Sequence, residues 1–163
     1  MTIQIDSREK ARAIKKIVRY FDDNNIRHFT SKLYVGDYQN LDNPRLIIDR
    51  KENLLELCSN VCQQHERFRA ELIRARDAGI HLIILCEHGE DICDLEDVIF
   101  WQNPRSKKHV RTSEGWTTEK TKAITGETLY KILCTLRRKY DVDFEFCAKG
   151  QTGQRIAELL QHG

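Results

Sequence analysis

The chain has 163 residues, of which 40% are apolar and 32% are charged, a length and composition typical of one globular domain with its own core. Two prolines and eight glycines leave little sequence for a disordered arm, and no apolar run is long enough to span a membrane. The net charge of +2 is unevenly distributed: residues 102–122 contain six basic and two acidic side chains.

The first third of the chain predicts one amphipathic helix among strands. A short strand over 3–6 precedes a helix over 10–23, in which Ile14, Ile17 and Phe21 recur at helical spacing. A strand follows over 27–34. Gly36-Asp37 bends the chain, and residues 42–44 form a turn. The β-branched run at 45–51 is typical of a central strand.

The rest of the chain alternates helices with buried strands. Two helices are predicted between residues 54 and 78, then a strand over 81–87, a short helix over 95–101, a basic loop over 102–122, a helix over 127–140, a strand over 142–147 and a helix over 152–161. The order lacks an internal repeat and a linker. It predicts a single α/β domain, with a central mixed β-sheet flanked by helices on both faces.

Six cysteines raise the questions of disulfides and of zinc. Most lie in apolar periodic segments, where a free thiol acts as a small hydrophobe, and no secretory signal precedes them, so we expect them to be reduced. Cys58 and Cys62 are spaced for one stripe of a helix that faces the core. Cys86, His88 and Cys93 are close in sequence but lack the second ligand pair of a zinc motif.

Acidic residues gather where predicted strands end or bend. Asp37 lies at a bend and Asp49 near the end of a strand, and Lys51 is on the same strand face as Asp49 because side chains alternate with a period of two. A hairpin can bring the two aspartates together. Two carboxylates with waters and a phosphate oxygen satisfy Mg²⁺, and an adjacent lysine stabilises negative charge during phosphodiester hydrolysis. Because Asp-x-Lys is common on strands, the spacing alone is a weak signal.

Four sequence strings in this order carry a family resemblance: IDSREK at 5–10, VGDY at 35–38, IDRK at 48–51 and QQHERFRAEL at 63–72. Together they resemble the nuclease domain of XPF-type structure-specific endonucleases, members of the PD-(D/E)XK superfamily. The string TGETLYKILCTL at 125–136 resembles a segment of small stand-alone relatives from bacteriophages and prophages. The resemblance covers nearly the whole chain and implies one nuclease domain over 1–163, with a restriction-endonuclease-like fold and a basic loop at about 102–125.

The resemblance implies roles for individual residues. Asp37 and Asp49 would be the metal ligands, for Mg²⁺ or Mn²⁺, and Lys51 the catalytic lysine. The catalytic set would be completed at its edge by Asp6, Glu9 and Arg8, with Arg8 near the scissile phosphate. Asp6 and Glu9 have an alternative role as acids at the N-terminus of the first helix.

Three other side chains carry further expectations. Because side chains alternate along a strand, Arg50 should lie on the strand face opposite Asp49 and Lys51, where its role would be structural. Arg67 and Glu71, four apart on a helix, are weaker site candidates, since an ordinary ion pair would explain them.

The implied activity is metal-dependent cleavage of branched, flapped or junction DNA, in recombination, repair or phage replication. The implied partners are DNA with single-stranded segments and a second copy of the chain, because family members commonly pair and apolar helix faces near the C-terminus are predicted to remain uncovered. We expect no membrane partner and a cytoplasmic location, the bacterial host cytoplasm if the chain is phage-encoded. A catalytically silent DNA-binding subunit, or a nuclease acting on RNA or on ends, remains an alternative.

The sequence departs from the family pattern in two places. Asp49 stands where a glutamate is most frequent, which shortens the reach to the metal by one methylene. The helix-hairpin-helix tandem that usually accompanies the domain is missing from the sequence. We therefore expect the basic segment to hold the DNA, with Trp116 offering a stacking surface and Trp101 anchoring the segment to the core. The candidate DNA-binding residues are Arg105, Lys107, Lys108, Arg111, Trp116, Lys120, Lys122 and Arg67.

Overall fold

The computed structural model describes residues 1–89 and 91–162, so positions 90 and 163 of the predicted domain lie outside the described residues. The strands are β1 (Thr2–Asp6), β2 (Arg27–Ser31), β3 (Tyr38–Asn40), β4 (Asn43–Lys51), β5 (His81–Glu87), β6 (Lys107–Thr112), β7 (Gly115–Lys120) and β8 (Val142–Cys147). The helices are α1 (Ala11–Asp23), α2 (Leu54–Cys62), α3 (His65–Asp77), α4 (Gly126–Tyr140) and α5 (Thr152–His162). Short 3-10 helices span Glu96–Phe100 and Pro104–Ser106.

Six strands form one mixed sheet in the order β2-β1-β3-β4-β5-β8. Pairing is antiparallel where β3 meets β1 and β4, and parallel elsewhere. One apolar cluster joins the sheet to α2, α3 and α4, and a second joins it to α1 and α5. The predicted α/β domain with a mixed sheet flanked by helices is therefore confirmed, and the long β4 lies buried between the two layers.

Local sequence signals explain the helix boundaries. The Asn53 side chain accepts a hydrogen bond from the Glu56 amide and starts α2, and the Thr125 side chain accepts one from Thr128 and starts α4. Asp141, in the left-handed region with φ 55°, ends α4 and leads directly into β8. None of the described helices has the length and apolarity required to cross a bilayer.

The structure corrects two expectations about connections. The chain forms an additional strand, β3, after the bend at Gly36-Asp37, and the strand predicted over 27–34 ends at Ser31. The segment predicted as a basic loop contains a β-hairpin made of β6 and β7. Its alternation of polar and charged residues carries too little apolar signal for periodicity to identify strands.

The cysteines differ in burial. Cys58 and Cys86 are buried, whereas Cys62 and Cys93 are exposed. The expectation that Cys58 and Cys62 share a core stripe is therefore wrong for Cys62, which is exposed at the last residue of α2.

The apolar faces near the C-terminus are covered to different degrees. Ile156 and Leu160 of α5 are buried against the sheet and α1, whereas Ile132 and Leu136 of α4 are partly exposed. Exposed apolar side chains also lie elsewhere in the described residues, Phe100 among them. The homodimer stays a prediction.

Candidate active site

The two aspartates meet because β3 and β4 form an antiparallel hairpin. Tyr38 pairs with Ile48, and extending that register by one residue places Asp37 opposite Asp49. The Asp37 amide donates to the Ile48 carbonyl at 2.8 Å, and Asp37 Oδ2 accepts the Arg50 amide at 2.8 Å. Residues twelve apart in sequence are thus fixed side by side at the end of β4.

Gly36 makes this approach possible. Its φ is +65°, and a Cβ there would lie 2.5 Å from Ile47 Cγ2 and 3.0 Å from the Ile48 carbonyl oxygen. Any other residue would strain the backbone and push the bend away from β4. The glycine of the VGDY string therefore positions Asp37.

Lys51 lies on the same face of β4 as Asp49 and is only 7% exposed. Its Nζ is 2.7 Å from Asp49 Oδ2 and 5.4 Å from the centre of the Phe68 ring, a combined ionic and cation–π environment. Burial alone would lower the pKa of Lys51, but Asp49 and the other nearby carboxylates outweigh it and raise the pKa. Lys51 is therefore a fixed, charged ammonium.

The surrounding carboxylates repel one another. Burial raises the pKa of Asp37 well above its ordinary value, and the charges of Asp49 and Glu9 raise it further. Burial, then Asp49, likewise raises the pKa of Glu71. The site holds more negative charge than Lys51 neutralises, so it favours the arrival of a cation.

The aspartates and the lysine line an open cavity of about 490 Å³ at the end of the central strands. Most of its lining side chains are charged: Arg8, Glu9, Lys10, Asp37, Asp49, Arg50, Lys51, Glu52, Glu56, Arg67 and Glu71, with Ala13 and Gly36. The structure therefore brings Asp37, Asp49, Lys51, Arg8 and Glu9 together, as the sequence predicts.

Asp6, predicted at the edge of the site, lies behind the wall of the cavity and holds one of its lining residues. It is fully buried beside the cavity and is not one of its lining residues. Its carboxylate accepts the Arg8 side chain at 2.7 and 2.8 Å and the Arg8 and Leu33 amides at 2.7 Å each. Burial opposes the charge on Asp6, but these donors outweigh it and lower its pKa. Asp6 therefore orients Arg8 and ties the end of β1 to the segment after β2.

Arg50 lies on the face of β4 opposite Asp49 and bridges two acids. Its guanidinium is 3.1 Å from Glu9 Oε2 and 3.1 Å from Glu87 Oε1, and all three side chains are nearly inaccessible to solvent. The structural role expected for Arg50 agrees with this arrangement. Glu9 is consequently held by Arg50, in addition to facing the cavity.

Glu71 and Arg67 both line the cavity, but Glu71 has a partner other than the one expected. Its Oε1 accepts the Gly36 amide at 3.3 Å, so α3 contacts the bend that carries Asp37. The described ion pairs do not include Arg67 with Glu71. The i,i+4 ion pair therefore does not explain these two residues.

The donor set fits a hard divalent cation. Asp37 and Asp49 offer two adjacent carboxylates whose repulsion a cation would relieve, and waters with a phosphate oxygen would complete its coordination. Within the described residues, no three His, Cys, Asp or Glu side chains are grouped for a metal, so a protein-only ligand cage is absent there.

The basic segment over 102–122 is anchored in the core at its start and is exposed to solvent farther along the chain. Trp101 is 6% exposed and packs into the cluster beneath α4, in agreement with an anchoring role. Asn103 is buried and donates from Nδ2 to the Ile124 carbonyl at 2.8 Å, which closes the base of the hairpin. Trp116 near the tip is 74% exposed.

Sequence reasoning missed Glu87 and Glu56. Glu87 ends β5, which lies parallel to β4 with Cys86 opposite Lys51. A search for acidic residues at the ends of predicted strands, which identified Asp49, would also have identified Glu87. Glu56 lines the cavity from α2, where its Oε2 accepts the Glu52 amide at 2.7 Å. No strand signal marks Glu56, since it lies in the first turn of α2.

Comparisons with known proteins agree with this architecture. The ERCC4 domain family matches residues 5–159. XPF from Aeropyrum pernix superposes with a TM-score of 0.65 at 15% identity, over 99% of this chain and 64% of that one. The structure of XPF from Aeropyrum pernix in complex with DNA superposes with a TM-score of 0.62 at 15% identity, over 98% of this chain and 63% of that one. This chain thus spans less than two thirds of those proteins, and no curated protein matches it. Since the family match extends over nearly all its residues, the chain belongs to the ERCC4 domain family.

Proposed function

We propose that the protein is a divalent-metal-dependent DNA endonuclease. The observation that carries the proposal is the apposition of Asp37 and Asp49 with Lys51 at 2.7 Å from Asp49, within an open charged cavity of an ERCC4 domain. Paired carboxylates beside a buried ammonium are the groups that phosphodiester hydrolysis requires.

Each residue of the site then has a defined task. Asp37 and Asp49 would hold Mg²⁺ or Mn²⁺, which when bound supplies Lewis-acid polarisation of the phosphate and a water of lowered pKa. Lys51 donates to the oxygen that gains negative charge, and its contact with Phe68 limits its motion. Arg8 neutralises the scissile phosphate while Asp6 orients its guanidinium. Glu9 is tied through Arg50 to the end of β5.

We propose branched, flapped or junction DNA as the substrate, in recombination, repair or phage replication. The support is the family, the solved complex of the Aeropyrum pernix protein with DNA, and the exposed basic segment. A homodimer would place two such cavities on one substrate. Substrate profiling that includes RNA and DNA ends separates this specificity from the alternatives.

The decisive experiment incubates the protein with labelled flap, fork and Holliday-junction DNA, with and without Mg²⁺. We expect Mg²⁺-dependent nicking and a loss of about a thousandfold in Asp49→Asn, since several kcal/mol of transition-state stabilisation depend on the metal. Asp77→Asn, an exposed acid at the end of α3, is the matched control and should cut normally. If Asp49→Asn cuts as fast as the wild type, the assigned site is wrong. Wild-type DNA binding without any metal-dependent cleavage would instead indicate a silent binding subunit.

A further inference from the structure

The hairpin of β6 and β7 has two chemically different faces. Cross-strand partners share a face, and successive residues alternate between faces. The register pairs Lys107 with Lys120, His109 with Thr118 and Arg111 with Trp116, so these six residues occupy one face. The contact of 3.1 Å between His109 Nδ1 and Thr118 Oγ1 agrees with this assignment. We call these six residues the cationic face.

The opposite face is electrically balanced. There Lys108 pairs with Glu119, with 3.1 Å between Nζ and Oε2, and Val110 pairs with Thr117. Glu119 is the one acid within the two strands. Because it lies on this balanced face, the cationic face carries no acidic side chain. From composition alone, every lysine of the segment would be expected to contribute equally to DNA binding. The strand register shows instead that Lys108 lies on a different face from Lys107 and Lys120.

The cationic face is exposed to solvent. All twelve strand residues except Val110 are exposed, and the hairpin adds nothing to either apolar cluster. Two lysines directly opposite each other, Lys107 and Lys120, destabilise a hairpin, and isolated hairpins are marginal in water. A polyanion on this face would relieve that repulsion, which makes the charge complementarity specific to one side of the hairpin.

The base of the hairpin lies against the helix that lines the cavity. Asn103 Nδ2 is 4.0 Å from Cys58 Sγ of α2, and Glu56 of the same helix lines the cavity. A nine-residue helix is about 14 Å long, so the base of the hairpin lies within about one helix length of the cavity. DNA entering the cavity is therefore within reach of the hairpin.

We propose that the cationic face binds DNA at the junction between duplex and unpaired strand. Lys107, Arg111 and Lys120 contact phosphates, and Trp116 stacks on an unpaired base; Lys108 takes no part. Lys107 and Arg111 are four residues apart, about 13 Å, which corresponds to roughly four nucleotides at 3.4 Å each. Cations beside an exposed aromatic ring are the combination that binds single strands. This inference rests on the proposed function, since it names the binding surface of the same enzyme.

The test measures binding of the full chain to forked DNA and to plain duplex by fluorescence anisotropy, without divalent metal. Lys107→Ala/Lys120→Ala should weaken binding to both at least about tenfold in roughly 0.1 M salt, and should lower the slope of log affinity against log salt by about 1.8. Lys108→Ala/Lys131→Ala is the matched control. It removes the same charge from two lysines that are paired with Glu119 and Glu127. It should change affinity by less than about threefold, because neither lysine contacts a phosphate and so neither releases a counterion from DNA.

Trp116→Ala separates stacking from charge. It should weaken binding to forked DNA by about five- to a hundredfold and leave the affinity for duplex within about twofold. Equal losses on fork and duplex would contradict the stacking role. Equal losses of DNA affinity in the two double-lysine variants would overturn the proposal that the cationic face binds DNA. No loss in either variant would also overturn it, and would leave an acidic protein as the partner of this face. Metal-dependent cleavage at saturating DNA reports on the cavity separately, so either proposal can fail alone.

Discussion

The cavity and the hairpin use charge in opposite ways. In the cavity, Asp49 and Lys51 are 4% and 7% exposed and lie in contact, so each ionic group has a fixed neighbour and a fixed orientation. On the cationic face of the hairpin, Lys107 and Lys120 point into solvent from opposite strands without an acidic partner on that face. Burial thus provides the orientation that chemistry needs, while exposure provides reach toward a ligand in solution.

The difference predicts that substitutions will separate into two groups. Changes in the cavity should alter the rate of cleavage, the pH dependence or the free energy of unfolding. Changes on the cationic face should alter affinity and its salt dependence, because counterion release from DNA dominates there. Any single substitution that strongly affects both groups of measurements would weaken the distinction.

Apart from the two proposed metal ligands, the largest effect is expected at Lys51. Lys51→Ala should lower the rate of cleavage at saturating DNA by about a hundred- to a thousandfold, as loss of one oriented donor to a developing charge does. Lys51→Arg should recover less than a tenth of the activity, since a planar guanidinium cannot replace a point charge beside Asp49 in so closed a space. Single-turnover kinetics measure the rate, and metal-free DNA binding should be unchanged. A Lys51→Ala rate within threefold of the wild type would contradict the assigned role.

The next effect concerns the ion network behind the cavity. Glu87→Ala leaves the buried Arg50 with Glu9 as its one remaining acidic partner among the contacts described, and removing a partner from a buried pair costs about 3 kcal/mol. For a chain of this size, that corresponds to a fall in Tm of about 6–12 °C. Glu127→Ala, which removes an exposed i,i+4 partner of Lys131, is the control and should leave Tm unchanged. Equal shifts in the two variants would show that burial of the network does not matter.

The smallest effect is the stability of the metal-free protein. Burial and neighbouring acids raise the pKa of Asp37, so ionising Asp37 destabilises the folded state as pH rises through that raised value. Asp37→Asn should therefore increase Tm near neutral pH, by about 2–4 °C for each kcal/mol of repulsion removed. The increase in Tm should vanish below the ordinary aspartate pKa of 3.8, because Asp37 is then protonated in both the folded and the unfolded protein.

Thermal unfolding between pH 3 and pH 8 without metal measures this gain. Addition of Mg²⁺ should stabilise the wild type and not Asp37→Asn, because only the wild type binds it tightly. The variant should also be inactive in cleavage. A variant less stable than the wild type at neutral pH would mean that Asp37 is ionised at little cost.

The sequence by itself determined the layered fold and the alternation of charged side chains along β4. Helical spacing in α1 and continuous apolar runs in β4 and β5 follow from burial, which any sheet covered on both faces imposes. Strand alternation also fixed the relation of Lys51 and Arg50 to Asp49, because that relation depends only on the period of two residues. Local chemistry was sufficient for these features.

The tertiary structure alone decided which charges act together. The register of β3 with β4 placed Asp37 opposite Asp49, the burial of Asp6 made it a support for Arg8, and the parallel pairing of β4 with β5 brought Glu87 to Arg50. In the basic segment, pairing of β6 with β7 neutralised Lys108 and left Lys107 and Lys120 unpaired on one face. These outcomes depend on contacts between residues distant in sequence, and the free energy of such contacts is set by register and burial, which no local pattern contains.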